Sequence, residues 1–191
     1  MKETKIDYLI TKDNIKLLPW QYYNLFNYIT IPMYDKKVLI PNWQNKTHTV
    51  IPNYISPNIG ILTGKKNNLT ILDIDIKDDG LKLWNTVSKK YPEIKTPTVK
   101  TPTGGLHYYF KYNNKIPNMN KILVDGQIIG WDLKSDGSII ATPPSLHSNT
   151  NKRYKWIISL NDNKPTMMPK WLESFILNNL KSSTKKRINV N

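Results

Sequence analysis

The chain contains no cysteine. Disulfides and thiolate metal sites are therefore excluded, and a reducing, intracellular setting is expected: a cytoplasm, including that of a host carrying a virus or mobile element. Long apolar runs are missing too. No stretch approaches the roughly 20 residues of a membrane span, and the opening MKETKIDYLI lacks the apolar centre of a secretion signal. No membrane partner is expected. Internal repeats and long low-complexity blocks are also lacking. Acidic residues are scarce: 14 Asp+Glu stand against 28 Lys+Arg, a formal charge of +14. A surplus of that size favours polyanionic partners such as nucleic acid or nucleotide phosphates. Because the chain is rich in Lys, Asn and Ile generally, charge alone does not decide the matter.

With 191 residues, 39% of them hydrophobic, the chain can bury a real core. The residue pattern predicts an α+β protein, with many strands, few helices, and hairpins in the second half. Residues 14–29 read as a helix with an aromatic face, its start set later by Pro19, and 36–40 (KKVLI) as a strand. Strands are expected over 58–63 and 69–76, separated by the turn GKKNN, and a helix over 79–91. Further strands fall near 97–101, 106–112, 127–134, 138–142 and 154–158, before a helix over 169–180 that turns Trp171, Leu172, Phe175 and Ile176 inward. Residues 1–180 form one expected catalytic domain, and 181–191 a basic, mobile tail or linker.

Two aspartates interrupt the most core-like segment, LTILDIDIKDDG. Side chains alternate faces along a strand, so Leu72, Ile74 and Ile76 point one way while Leu69, Ile71, Asp73 and Asp75 point the other. The acidic pair lies with Cα atoms roughly 6.6 Å apart, within reach of a shared cation. Such a pair is either a strand end wetted by solvent or a site for a hard divalent ion. In TPTGGLHYYF, Gly104 and Gly105 precede a strand that carries His107, while Leu106, Tyr108 and Phe110 face the core. Glycine backbone can approach a phosphate closely and an imidazole can donate to the same anion, although a lone histidine is often purely structural. In GWDLKSDGSIIATPPS, Asp132 and Lys134 share one face against Trp131 and Leu133, SDG reads as a hairpin turn, and Thr142-Pro143-Pro144-Ser145 ends the strand rigidly and permits a cis peptide. Asp132 and Lys134 suit a metal ligand beside a phosphate-binding cation, or an ordinary surface ion pair. Three acids and a histidine in this order are the parts that a two-metal nucleotidyl transfer requires.

From about Trp43 to Trp156 the sequence resembles the primase–polymerase domains of the archaeo-eukaryotic primase superfamily, found in plasmid, phage and viral replication proteins. The resemblance rests on NIGILTG, ILDIDI, TPTGGLHYYF, WDLKSDG, ATPPS with His147, and RYKW. It implies an RRM-like catalytic sheet joined to an amino-terminal α/β unit, with the active site in the cleft between them. It implies that Asp73, Asp75 and Asp132 bind two Mg²⁺ or Mn²⁺ ions. His107, Thr103, the Gly104–Gly105 backbone and Lys134 would hold the nucleotide triphosphate, with Gly60 and Thr63 in the pocket wall. The implied partners are a DNA template and primer, dNTPs or NTPs, and a fused or separate helicase. The zinc-bearing stem of some relatives is lacking, and a helical part that some need for initiation would lie beyond the catalytic region. Elongation is thus expected more firmly than unaided priming. A metal-dependent nuclease and a non-catalytic replication-initiation module that only binds DNA are the rival expectations.

Overall fold

The computed structural model describes residues 8–51 and 58–188, with side chains described as far as 180. Its principal strands are β1 (Thr30–Met33), β2 (Asn58–Leu62), β3 (Leu69–Ile74), β4 (Thr98–Lys100), β5 (Leu106–Lys111), β6 (Trp131–Lys134), β7 (Ile139–Thr142) and β8 (Lys155–Ile158). Three α-helices accompany them: α1 (Pro19–Asn24), α2 (Gly80–Ser88) and α3 (Lys170–Ile188). The α+β expectation holds, with sheet predominating. A five-stranded antiparallel sheet runs in the order β6-β3-β5-β4-β8, and a three-stranded antiparallel sheet in the order β7-β2-β1.

Both faces of the larger sheet are covered, which explains why β3 reads as nearly continuous apolar sequence. On one face Leu72, Ile74, Phe110, Trp131 and Leu133 pack with Trp84 of α2 and Leu172 and Ile176 of α3. On the other, Leu69, Ile71, Val99 and Tyr109 pack with Ile61, Ile140 and the α1 residues Tyr22 and Tyr23. The hydroxyls of Tyr23 and Tyr109 both meet Thr142 Oγ1, at 2.9 and 3.1 Å, so one threonine joins α1, β5 and β7. The alternation in the sequence assigned these faces correctly.

Several local readings are corrected. The turn at 135–138 is not a hairpin: β6 pairs with β3, whereas β7 pairs with β2 in the other sheet. The GKKNN turn likewise carries the chain from one sheet to the other. These crossings are fastened side by side, with Thr63 Oγ1 donating to Ser135 O at 2.6 Å, Thr63 N–H to Ser138 O at 2.9 Å, and Lys65 N–H to Asp136 Oδ1 at 2.8 Å. The strand expected at 36–40 is absent, and β1 lies just before it. Pro32 hides β1 from sequence patterning, yet an edge strand tolerates proline because the missing N–H would point away from the ladder. Pro19 does begin α1, which stops at Asn24 rather than continuing to 29. The expected strand over 127–134 splits at Gly130 into Gln127–Ile129 and β6. The Pro143–Pro144 bond is cis. Helix α3 continues through 181–188, residues expected to form a tail, while 189–191 lie outside the described residues.

Gly60 and Thr63 therefore have packing roles. A Cβ at Gly60 would lie 2.6 Å from both Met33 Sδ and Ile139 Cδ1, and Thr63 is the staple of the sheet corner. Thr63→Val keeps the shape but leaves the Ser135 carbonyl with only the longer 3.3 Å bond from Ser138 N–H, so it should lower unfolding free energy by about 1 kcal/mol. Urea titration checks this; an unchanged midpoint would show that the corner does not depend on that bond.

Candidate active site

Strand register gathers residues that are distant in sequence. Asp132 of β6 lies directly opposite Asp73 of β3, Asp73 opposite His107 of β5, and His107 opposite Val99 of β4. Paired residues in an antiparallel ladder point to the same face, so the two carboxylates and the imidazole form one row across three strands. It lies on the sheet face that packs against α1 and the smaller sheet. The spacing that separates 73, 107 and 132 in sequence is thus only loop length.

Asp75 joins the row from beyond the strand. β3 ends at Ile74, not Ile76, because the backbone of Asp75 is taken up by other partners. Its N–H donates to Gly130 O at 2.7 Å, and its carbonyl accepts from Leu81 N–H at 2.8 Å as the chain turns into α2. Gly130 makes this close approach possible: a Cβ there would lie 2.3 Å from Lys77 O and 3.3 Å from Asp75 Cβ. Sequence alternation put Asp75 on the correct side for the wrong reason.

The four groups differ in their partners. His107 is 3% exposed, its Nε2 lies 3.3 Å from Asp73 Oδ1, and its buried Nδ1 has no hydrogen-bond partner among the described residues. The expected phosphate-facing histidine thus has a carboxylate as its nearest polar neighbour. Asp132 is engaged at both oxygens, Oδ1 by Lys121 N–H at 2.8 Å and Oδ2 by Lys134 Nζ at 2.8 Å. Lys134 also donates to Asn120 Oδ1 at 2.8 Å. The side chain of Asp75 makes no hydrogen bond or ion pair among the described residues.

Electrostatics follow from that inequality. Burial would raise the Asp73 pKa, but the charge and hydrogen bond of His107, with help from Lys134 and Lys36, hold it below the ordinary carboxylate value. Asp75 moves the other way: burial and then the charges of Asp73 and Asp132 raise it, against weaker opposition from His107 and Lys36. Tyr154 is pushed well above the ordinary phenol value, by burial and then by Asp73, Asp35 and Asp75. Its ring centroid lies 5.6 Å from that of His107. Lys36 and Tyr154 were missed at the sequence level, since neither position has a pattern that marks it as facing carboxylates.

The Thr101–Gly105 turn closes the β4–β5 hairpin. Thr101 N–H donates to Gly105 O at 2.9 Å, and Gly104 adopts a φ of +104°, which favours glycine. A Cβ at Gly105 would lie 2.2 Å from Ile74 O, so tight packing against the end of β3 accounts for that glycine without a ligand. Thr103 is exposed at the same turn. The turn and the acidic row are neighbours through Ile74.

All-oxygen donors are the right chemistry for a hard divalent cation, and an unpartnered Asp75 whose charge is opposed by two other acids is what such a cation would relieve. The donors are not gathered in advance: no group of three Asp, Glu or His placed to grip one ion occurs among the described residues. Both oxygens of Asp132 are already held, by Lys134 and by Lys121.

What the fold and site define is an α+β protein with a carboxylate row in a strongly basic chain. Residues 32–171 match the family of the bifunctional DNA primase/polymerase, N-terminal domain, and the chain belongs to that family. Membership implies a primase/polymerase role in replication and an enzyme of nucleotidyltransferase type. No curated protein matches the chain. Among the described residues no helix is long and apolar enough to cross a membrane.

The opposed shifts give a test on the metal-free protein. A raised pKa means that ionising Asp75 costs stability once pH rises above the ordinary value of 3.8. Asp75→Asn should therefore raise Tm at neutral pH, with the gain fading as pH falls below that value. Asp73 has the opposite sign: its lowered pKa contributes stability above the ordinary value of 3.8, lost as pH falls through the folded value. Asp73→Asn should lower the neutral-pH Tm. Thermal melts across pH check both signs, and equal effects would contradict the asymmetry.

Proposed function

We propose that the protein is a DNA primase and/or DNA polymerase that performs template-directed nucleotidyl transfer with two Mg²⁺ or Mn²⁺ ions. The observation that carries this reading is the register pairing of Asp132 with Asp73, together with an Asp75 carboxyl that both of them repel. Metal bound there would lower the pKa of a primer 3′-hydroxyl and neutralise charge at the α-phosphate and pyrophosphate. Asp75 supplies the carboxylate with no competing partner. Asp73 stays ionised because His107 stands against it, and His107 thereby fixes its orientation. Asp132 would serve as a ligand once Lys134 gave up its hold on Oδ2.

The released Lys134 ammonium, Thr103 and the Gly104–Gly105 backbone are the groups offered to the triphosphate, with His107 beside Asp73 in the same row. These are preorganised electrostatic contributions. The basic surplus favours a DNA template and primer through backbone phosphates, without base readout. A helicase, fused or separate, is the partner that a replication role implies.

Primer extension with each nucleotide pool, alongside de novo synthesis on an unprimed strand, tests the reading. Asp73→Asn and Asp75→Asn should each lower extension by roughly a hundredfold or more while far-UV spectra stay native. Retained extension would rule out this site. A labelled strand cut in Mg²⁺ or Mn²⁺ without nucleotides would indicate a nuclease instead. Salt-sensitive binding without product under any condition would indicate a non-catalytic DNA-binding module.

Lys134→Ala separates the phosphate role from template binding. Loss of a charged donor should weaken nucleotide affinity by about tenfold and DNA affinity far less. Equal losses, measured by titrating each ligand, would assign the lysine to the template.

A further inference from the structure

Beyond the acidic row, the end of the larger sheet carries a second cluster with no evident structural purpose. Lys100 of β4 and Lys155 of β8 are direct cross-strand partners, an arrangement that is destabilising for like charges. Both are exposed, as is Lys152 nearby, and the ammonium groups of these three make no hydrogen bond or ion pair among the described residues. With Arg153, Thr101 and Thr103 they line an open groove of about 710 Å³. Arg153 is anchored, its Nη1 donating to Pro144 O at 2.8 Å. Four cations and two hydroxyls therefore surround a cavity of nucleotide size, and no acidic side chain lines it.

Register also sets the groove apart from the candidate active site. Lys100 pairs with Leu106, and Leu106 with Ile74, one residue along from the row of Val99, His107, Asp73 and Asp132. One residue along a strand reverses the face. Lys100 and Lys155 therefore belong to the helix-facing side of the sheet, and the acids to the other. Only the Thr101–Gly105 turn separates the two, since it lines the groove and packs on the end of β3. A nucleic-acid strand, with a phosphate at every residue, can cross that turn and occupy both sites.

We infer that this groove seats the phosphodiester backbone of a nucleic-acid strand, gripped by Lys100, Lys152, Lys155 and Arg153 as it leaves the acidic row across the Thr101–Gly105 turn. The chemistry recognised is multiply charged phosphate. The repulsion between Lys100 and Lys155, uncompensated among the described residues, is offset when phosphates lie between them. The inference rests on the proposed nucleotidyl transfer for the reason a strand should be there, and on the groove alone for the binding itself.

The test uses the intact chain and a fluorescein-labelled oligothymidylate of about 12 nucleotides, without metal or nucleotide, titrated by anisotropy at several salt concentrations. Replacing Lys100, Lys152 and Lys155 together by Ala should weaken strand binding by at least about tenfold and lower the log–log salt slope by roughly 2, near 0.7 per lost phosphate contact. Affinity for a free nucleoside triphosphate should not change. Lys155→Glu adds a readout that a structural role would not produce: it places an acid opposite Lys100, so Tm should rise while strand affinity falls. Unchanged strand binding in the triple variant would overturn the inference. Loss of triphosphate affinity with strand binding intact would do so too, and would assign the groove to the nucleotide. Strand binding is read without metal or nucleotide and extension is read separately, so a failure of the polymerase reading and a failure of the groove are distinguishable.

Discussion

Antiparallel pairing between β3 and its two neighbours is the constraint on which the rest of the structure depends. Asp132, Asp73 and His107 meet because three strands are aligned at one register, and a slip of one residue in either pairing would replace a charged group with an apolar one. That register is held by burial. Leu72, Ile74, Trp131 and Leu133 must face α2 and α3, while Leu69, Ile71 and Tyr109 must face the smaller sheet. The two cores on either side of the sheet thus place the carboxylates opposite one another.

The acids stand at the end of this sheet, where backbone pairing gives way to turns, and each has been given a different environment. His107 shields Asp73, two donors occupy Asp132, and Asp75 is left with repulsion. Like charges brought together at the rim of an apolar core would normally destabilise it. Distributing the compensation unequally lets the protein hold three of them and leaves one carboxylate unsatisfied.

What could be read from the amino-acid order was local and periodic. Alternation in LTILDI and WDLK assigned faces that the structure keeps, and the inward face of α3 emerged from helical spacing. Pairing was not legible. SDG has good hairpin chemistry, yet its flanking strands join different sheets, because sheet membership depends on long-range contacts that no turn residue encodes. Pro32 concealed an edge strand. Gly60 and Thr63, expected in a pocket wall, have packing duties of their own, and a glycine that a neighbouring side chain requires looks the same in sequence as one that a ligand requires. The presence of Asp73, Asp75, Asp132 and His107 was visible, and so was the pairing of Asp132 with Lys134 two residues along the same strand; the crowding of Asp75 and the approach of Lys121 and Lys36 were not, because those residues come from other parts of the chain.

The contact between Lys134 and Asp132 has a thermodynamic consequence for the proposed reaction. An incoming divalent ion must compete with an ammonium already seated on the carboxylate, so entry is an exchange of one positive charge for another. Any anion that draws the ammonium away lowers the cost of that exchange, and by reciprocity the ion strengthens the hold on the anion. A single short ion pair thereby links two occupancies, favouring the doubly loaded state over either ligand alone.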